Sequence, residues 1–120
     1  MFPTISFKTT NTDSDPALQS LLEQKFSSLE KFLREGSDVS CNVEFEKVAP
    51  KQSGLVHRVE ANLRINGKLY RAEATLRSFE EAIDEVRNEL DKELRRAGDK
   101  RDSLMKRGGR KIKEMFRFGS

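Results

Sequence analysis

The chain has 120 residues, of which 36% are charged and 35% apolar, and the apolar ones fall in periodic blocks; this describes one domain with its own core and excludes a disordered chain. No apolar run approaches a bilayer span, the start "MFPTISFKTT" lacks the regions of a signal peptide, and Cys41 is the only cysteine, so the expectation is a cytoplasmic protein without a disulfide or a cysteine-rich metal site. The net charge of +3 averages two unlike parts, since residues 92–120 hold 11 Lys and Arg against 4 Asp and Glu while residues 1–91 hold 12 against 16.

In chain order, Pro3, Ile5 and Phe7 alternate with Thr4, Ser6 and Lys8, which predicts a short strand with one buried face. "NTDSDP" supplies helix N-cap candidates, with Pro16 suited to a first turn. Leu18, Leu22, Phe26, Leu29 and Leu33 follow at helical spacing, widened by Leu21 and Phe32, and Gly36 is the expected stop of a helix of about twenty residues. Val39, Cys41, Val43 and Phe45 alternate with polar residues as a second strand. In "HRVEANLRINGKLYRAEATLRS" the dipeptide Asn66-Gly67 predicts a type I′ hairpin. Its register then sets Ile65 opposite Lys68, Leu63 opposite Tyr70, Ala61 opposite Ala72 and Val59 opposite Ala74. One flaw is Glu60 facing Glu73, with Arg58 and Arg71 near enough to relieve it. Ser78 and Glu81 form a capping box for a second helix, with the stripe Phe79, Ala82, Ile83, Val86, Leu90, Leu94, Ala97 and a stop at Gly98. The predicted fold is α+β, β-α-β-β-β-α, a four-stranded sheet with two helices packed on one face. Residues 1–98 form this domain and residues 99–120 a basic C-terminal extension.

Catalytic patterns are weak. His57 is the only histidine and opens a strand, and Cys41 sits in a core alternation. Glu80, Glu81, Asp84, Glu85, Glu89, Asp91 and Glu93 read as surface charge on an exposed helix face, with no partner for acid–base work. "KRGGRK" lacks the strand–loop–helix setting of a phosphate-binding loop. The expectation is a protein that is not an enzyme, with no small-molecule substrate, cofactor or metal.

Basic residues carry the stronger signal. Lys92, Arg95 and Arg96 end the second helix, and Lys100, Arg101, Lys106, Arg107, Arg110, Lys111, Lys113 and Arg117 follow. Cations at a helix C-terminus suit its dipole, but that role does not account for those beyond Gly98. Two helices with a basic surface on a sheet are like a double-stranded RNA reader, and the outer sheet face lacks aromatic residues for base stacking, so phosphate contact is expected. The Ile112, Met115 and Phe116 stripe in "RKIKEMFRF" is short for a membrane anchor and better suited to docking on protein.

Together, "KFSSLEKF", "HRVEANLRINGKLYRAEAT" and "SFEEAIDEVRNELDKELRR", in this order and spacing, resemble the short-form ribosome hibernation-promoting factors, also called ribosome-associated inhibitors or ribosomal subunit interface proteins. The resemblance covers roughly residues 3–100 and implies the same β-α-β-β-β-α fold. It implies binding in the decoding region of the small ribosomal subunit, across the tRNA and mRNA sites, so that translation is inhibited in stress or stationary phase. The implied rRNA contacts are Lys25 and Lys31 on the first helix, and Lys92, Arg95, Arg96 and Lys100 on the second. Ser28 and Glu89 stand where the family carries lysine, with Arg87 near to compensate. The basic residues Arg101, Lys106, Arg107, Arg110, Lys111 and Lys113 would extend the contact along the mRNA channel. A long dimerisation domain is not expected. A generic structured-RNA-binding module acting away from the ribosome is the alternative.

Overall fold

The computed structural model describes residues 2–49 and 51–107, with side chains placed for residues 2–49 and 51–98. Strands β1 (Ile5–Thr10) and β2 (Val39–Lys47) pair in parallel. Parallel neighbours need a crossover, here α1 (Pro16–Phe26) and a 3₁₀ helix (Ser27–Phe32). Strands β3 (His57–Ile65) and β4 (Lys68–Leu76) continue the sheet antiparallel in the order β1-β2-β3-β4, and α2 (Phe79–Arg107) returns across it. The α+β architecture is the one expected from the sequence.

The period-2 pattern decides the faces. Cys41, Val43 and Phe45 of β2 and Val59, Ala61 and Leu63 of β3 point to the helices and are buried. They meet Leu22, Phe26 and Leu29 from the first crossover and Ile83, Val86 and Leu90 from α2, all fully buried. Cys41 belongs to this core, and its burial pushes the thiol pKa up to about 12. The hairpin has the expected register at every pair, including Leu63 with Tyr70 and Glu60 with Glu73. Asn66 (φ 50°) and Gly67 (φ 86°) both take the left-handed conformation that a type I′ turn requires.

On the outer face Arg58 resolves the Glu60–Glu73 conflict by bridging both, at 2.8 and 2.7 Å, and reaches Glu46 at 3.0 Å. Arg71 pairs with Glu60 from the edge strand. Burial alone would lower the Arg58 pKa, but the hydrogen bond to Glu73 and the charges of Glu60 and Glu73 outweigh it and raise the value. Burial alone would raise the Glu60 pKa, and Arg71 and Arg58 reverse that, holding the carboxyl below its ordinary range.

Both helices differ from expectation in length. Asp15 caps α1 by accepting from the Ala17 and Leu18 N–H groups at 2.9 and 3.4 Å, and Pro16 takes the first helical position, as anticipated. The α-helical part ends at Phe26, well before Gly36. Ser27 Oγ donates to the Gln24 carbonyl at 2.6 Å and Ser28 Oγ to the Lys25 carbonyl at 2.9 Å, satisfying carbonyls that the next helical N–H groups would otherwise take. The chain tightens to 3₁₀ geometry, where side chains three apart eclipse, so Phe26, Leu29 and Phe32 stack along one line.

The second helix does not stop at Gly98. It runs 29 residues to Arg107, about 43 Å, with the Ser78 hydroxyl accepting from the Glu81 N–H at its start. A glycine costs a helix interior only about 1 kcal/mol, and "DKRDSLMKR" beyond it is compatible with helix.

Candidate nucleic-acid interface

Residues 84, 87, 91 and 95 recur every three or four positions and form one stripe of α2, turned toward the first crossover. Lys25 reaches across to Asp84 at 2.9 Å and Lys31 to Asp91 at 3.9 Å. Arg95 binds the same Asp91 at 3.2 Å, one turn along the helix. Arg87 donates to Ser28 Oγ at 3.4 Å, so its guanidinium stands beside Ser28. Lys31 and Arg95 both lie over the Phe32 ring, 5.3 and 5.4 Å from its centre. Cation–π contact adds about 0.5–1 kcal/mol at exposed sites and fixes where the charges stand.

Four of the sequence-predicted residues, Lys25, Lys31, Arg87 and Arg95, are therefore gathered along one seam. Lys92 and Arg96 are not among them. They turn to the other flank of α2 and pair with Glu89 at 3.7 Å and Glu93 at 3.0 Å. Lys100, Arg101, Lys106 and Arg107 lie on the continuing helix, and Arg110, Lys111 and Lys113 fall outside the described residues. The Ile112, Met115 and Phe116 stripe lies outside them as well.

The carboxylates need a correction. Asp84, Glu89, Asp91 and Glu93, expected to be plain surface charge, are half-buried and each holds a cation. Pairs that remain in contact with solvent contribute only about 0–1 kcal/mol each. A phosphate can replace the carboxylate at small cost, while the pairing keeps the cations positioned beforehand. His57 packs edge-on against Phe79 with ring centres 4.9 Å apart. Among the described residues, no group of three or more His, Cys, Asp or Glu is placed to hold a metal ion, and no helix is long and apolar enough to cross a membrane.

Sequence reasoning missed the surroundings of Phe32. Its ring widened the core stripe of the first helix, and nothing in that spacing indicates two cations over its face. Arg34, Lys68 and Tyr70 converge on the same corner. The Asn66 N–H donates to the Asp38 carbonyl at 2.8 Å and the Asp38 N–H to Asn66 Oδ1 at 2.9 Å, which clamps the hairpin turn to the segment leaving the 3₁₀ helix.

A family model described as Sigma 54 modulation protein / S30EA ribosomal protein matches residues 5–102. Among solved structures, the Thermus thermophilus Protein Y N-terminal domain is 20% identical with a TM-score of 0.65, covering 78% of this chain and 98% of that one. A ribosomal subunit interface protein from Coxiella burnetii is 19% identical with a TM-score of 0.62, covering 79% and 97%. Both share the fold. No match is found among curated proteins.

Proposed function

Because the chain belongs to the Sigma 54 modulation protein / S30EA ribosomal protein family, a ribosome-associated family, we propose that it occupies the decoding region of the small subunit and inhibits translation in stress or stationary phase. It acts as a cytoplasmic binding protein without turnover. The seam of Lys25, Lys31, Arg87 and Arg95 between α1, the 3₁₀ helix and α2 is the observation that carries this reading beyond family membership. It lays cations along one face at the spacing of a helix, where they meet successive backbone phosphates without reading sequence. Lys92, Arg96 and Lys100 on the adjoining flank, and Arg101, Lys106, Arg107, Arg110, Lys111, Lys113 and Arg117 beyond, extend the contact toward the mRNA path. The body of residues 1–98 supplies the shape that fills the tRNA and mRNA sites; the extension of residues 99–120 supplies the net positive charge, since the body holds more acidic than basic residues.

The test is co-sedimentation with purified small subunits in competition with initiator tRNA and mRNA. Displacement by these ligands is expected. Equal affinity for arbitrary duplex RNA, with no displacement from subunits, contradicts the ribosomal site and leaves a generic RNA-binding module.

A further inference from the structure

The recess between the 3₁₀ helix, the β3–β4 turn and α2 has a chemistry that phosphate contact alone does not use. Its volume is about 430 Å³, inside the range of small-ligand sites. Among the described residues three cations line it, Lys31, Arg34 and Lys68, together with the rings of Phe32 and Tyr70, and no carboxylate does. The Lys68 ammonium lies 5.2 Å from the Tyr70 ring centre, as Lys31 lies 5.3 Å from that of Phe32. Gly98 forms part of the wall, and a Cβ added there would meet nothing within 4 Å, so the space above it is open. Among the described residues neither Arg34 nor Lys68 has an acidic partner, unlike the paired cations of the seam.

Cations next to aromatic rings in one concave site match the two halves of a nucleotide, an anionic phosphate and a flat, polarisable base. A stacked duplex keeps its bases inside and offers the rings nothing. The geometry points to a site for one unstacked nucleotide of a single-stranded RNA, its base against Phe32 and Tyr70 and its flanking phosphates on Lys31, Arg34 and Lys68. This rests on the ribosomal reading only for the source of the strand, rRNA or mRNA. It goes beyond that reading by adding base contact to an interface otherwise confined to phosphates.

Tyr70 is the chain's only tyrosine and there is no tryptophan, so intrinsic fluorescence reports a single ring. That ring lines this recess and also borders the groove along β4, and the Phe32 and Arg34 variants assign the signal to the recess. Titrating the full chain with a short oligouridine should change tyrosine emission saturably. Arg34→Glu with Lys68→Glu should weaken that binding about tenfold or more, because two charge-assisted interactions are removed. The salt slope should flatten by roughly 1.4, about 0.7 for each phosphate of a single strand. Phe32→Leu, which keeps an apolar side chain, should weaken oligouridine while sparing an abasic oligomer of equal charge. Equal affinity and equal emission change for the abasic oligomer would overturn the base site, as would an unchanged titration in the double variant. Uridine monophosphate binding as tightly as the oligomer would overturn the assignment to a strand. The readout needs no ribosome: an absent emission change with intact subunit binding refutes only this site, and the reverse refutes only the ribosomal reading.

Discussion

On one flank of α2, Lys31 and Arg95 stand over Phe32 and the adjoining recess has basic and aromatic walls, with no acid among the described residues that line it. On the other flank a groove of about 690 Å³ runs along β4, lined by Glu73, Glu85, Glu89 and Glu93 against Lys68, Arg71 and Arg96. Both flanks belong to one helix, whose residues 79–98 hold more acidic than basic side chains. The net charge of that helix would not suggest a polyanion on either side. What separates the flanks is the angular position of each residue, so a single helix carries a predominantly basic side and a side of mixed charge with acid in excess.

The contrast is best broken by charge reversal. Lys31→Glu with Arg95→Glu should weaken small-subunit binding by about a hundredfold or more, since each of the two charge-assisted hydrogen bonds contributes about 1.5–3 kcal/mol. Lys92→Glu with Arg96→Glu should also weaken it, but less. Equal weakening, measured by sedimentation at fixed salt, would mean that the two flanks are not distinct. Truncation after Arg107 keeps the full length of α2 and removes Arg110, Lys111, Lys113 and Arg117. The log–log salt slope of subunit binding should fall by roughly 0.7–0.9 for each phosphate no longer neutralised. An unchanged slope would leave RNA binding to the helices alone.

Smaller effects sharpen the boundaries. Gly98→Ala should stabilise the fold by about 0.5–1 kcal/mol, because the residue is helical and its Cβ position is open. A lowered melting temperature would instead indicate a helix that ends there. The outer sheet face serves as the reference region, on the side of the sheet away from the helices. Its Glu60 carboxyl is held below the ordinary range by Arg71 and Arg58. The stability it contributes is complete above the ordinary glutamate value of about 4.3 and is lost as pH falls through the lower folded value. Glu60→Gln should therefore flatten the acid limb of stability against pH while leaving RNA binding at neutral pH unchanged.

How much of this was legible in the sequence varies with the range of the interaction. The hairpin register was readable to the residue, because Asn66-Gly67 fixes the turn and a period of two tolerates no slip. The helix ends were not. Ser27 and Ser28 look neutral in a helical stripe, yet their hydroxyls divert the chain into a 3₁₀ turn, and Gly98 imitates a C-cap where the helix goes on. For the site, four-residue spacing finds which cations share a flank of α2. It does not find Asp84 under Lys25 or Asp91 under Lys31, which depend on how the helices pack. The recess was invisible for the same reason, since Arg34 and Lys68 meet only through the clamp between Asp38 and Asn66.

Directed hydroxyl-radical cleavage from a tethered iron chelate tests most directly which face meets the ribosome. Cys41 is 2% exposed and its thiol pKa is pushed up to about 12, so a thiol-linked reagent spares it. The chelate can be carried by Asn88→Cys on the exposed back of α2 or by Thr75→Cys on the outer sheet face. Binding through the helices predicts strong cleavage of small-subunit rRNA around the decoding region from position 88 and weak cleavage from position 75. Strong cleavage from position 75 with none from position 88 would contradict it.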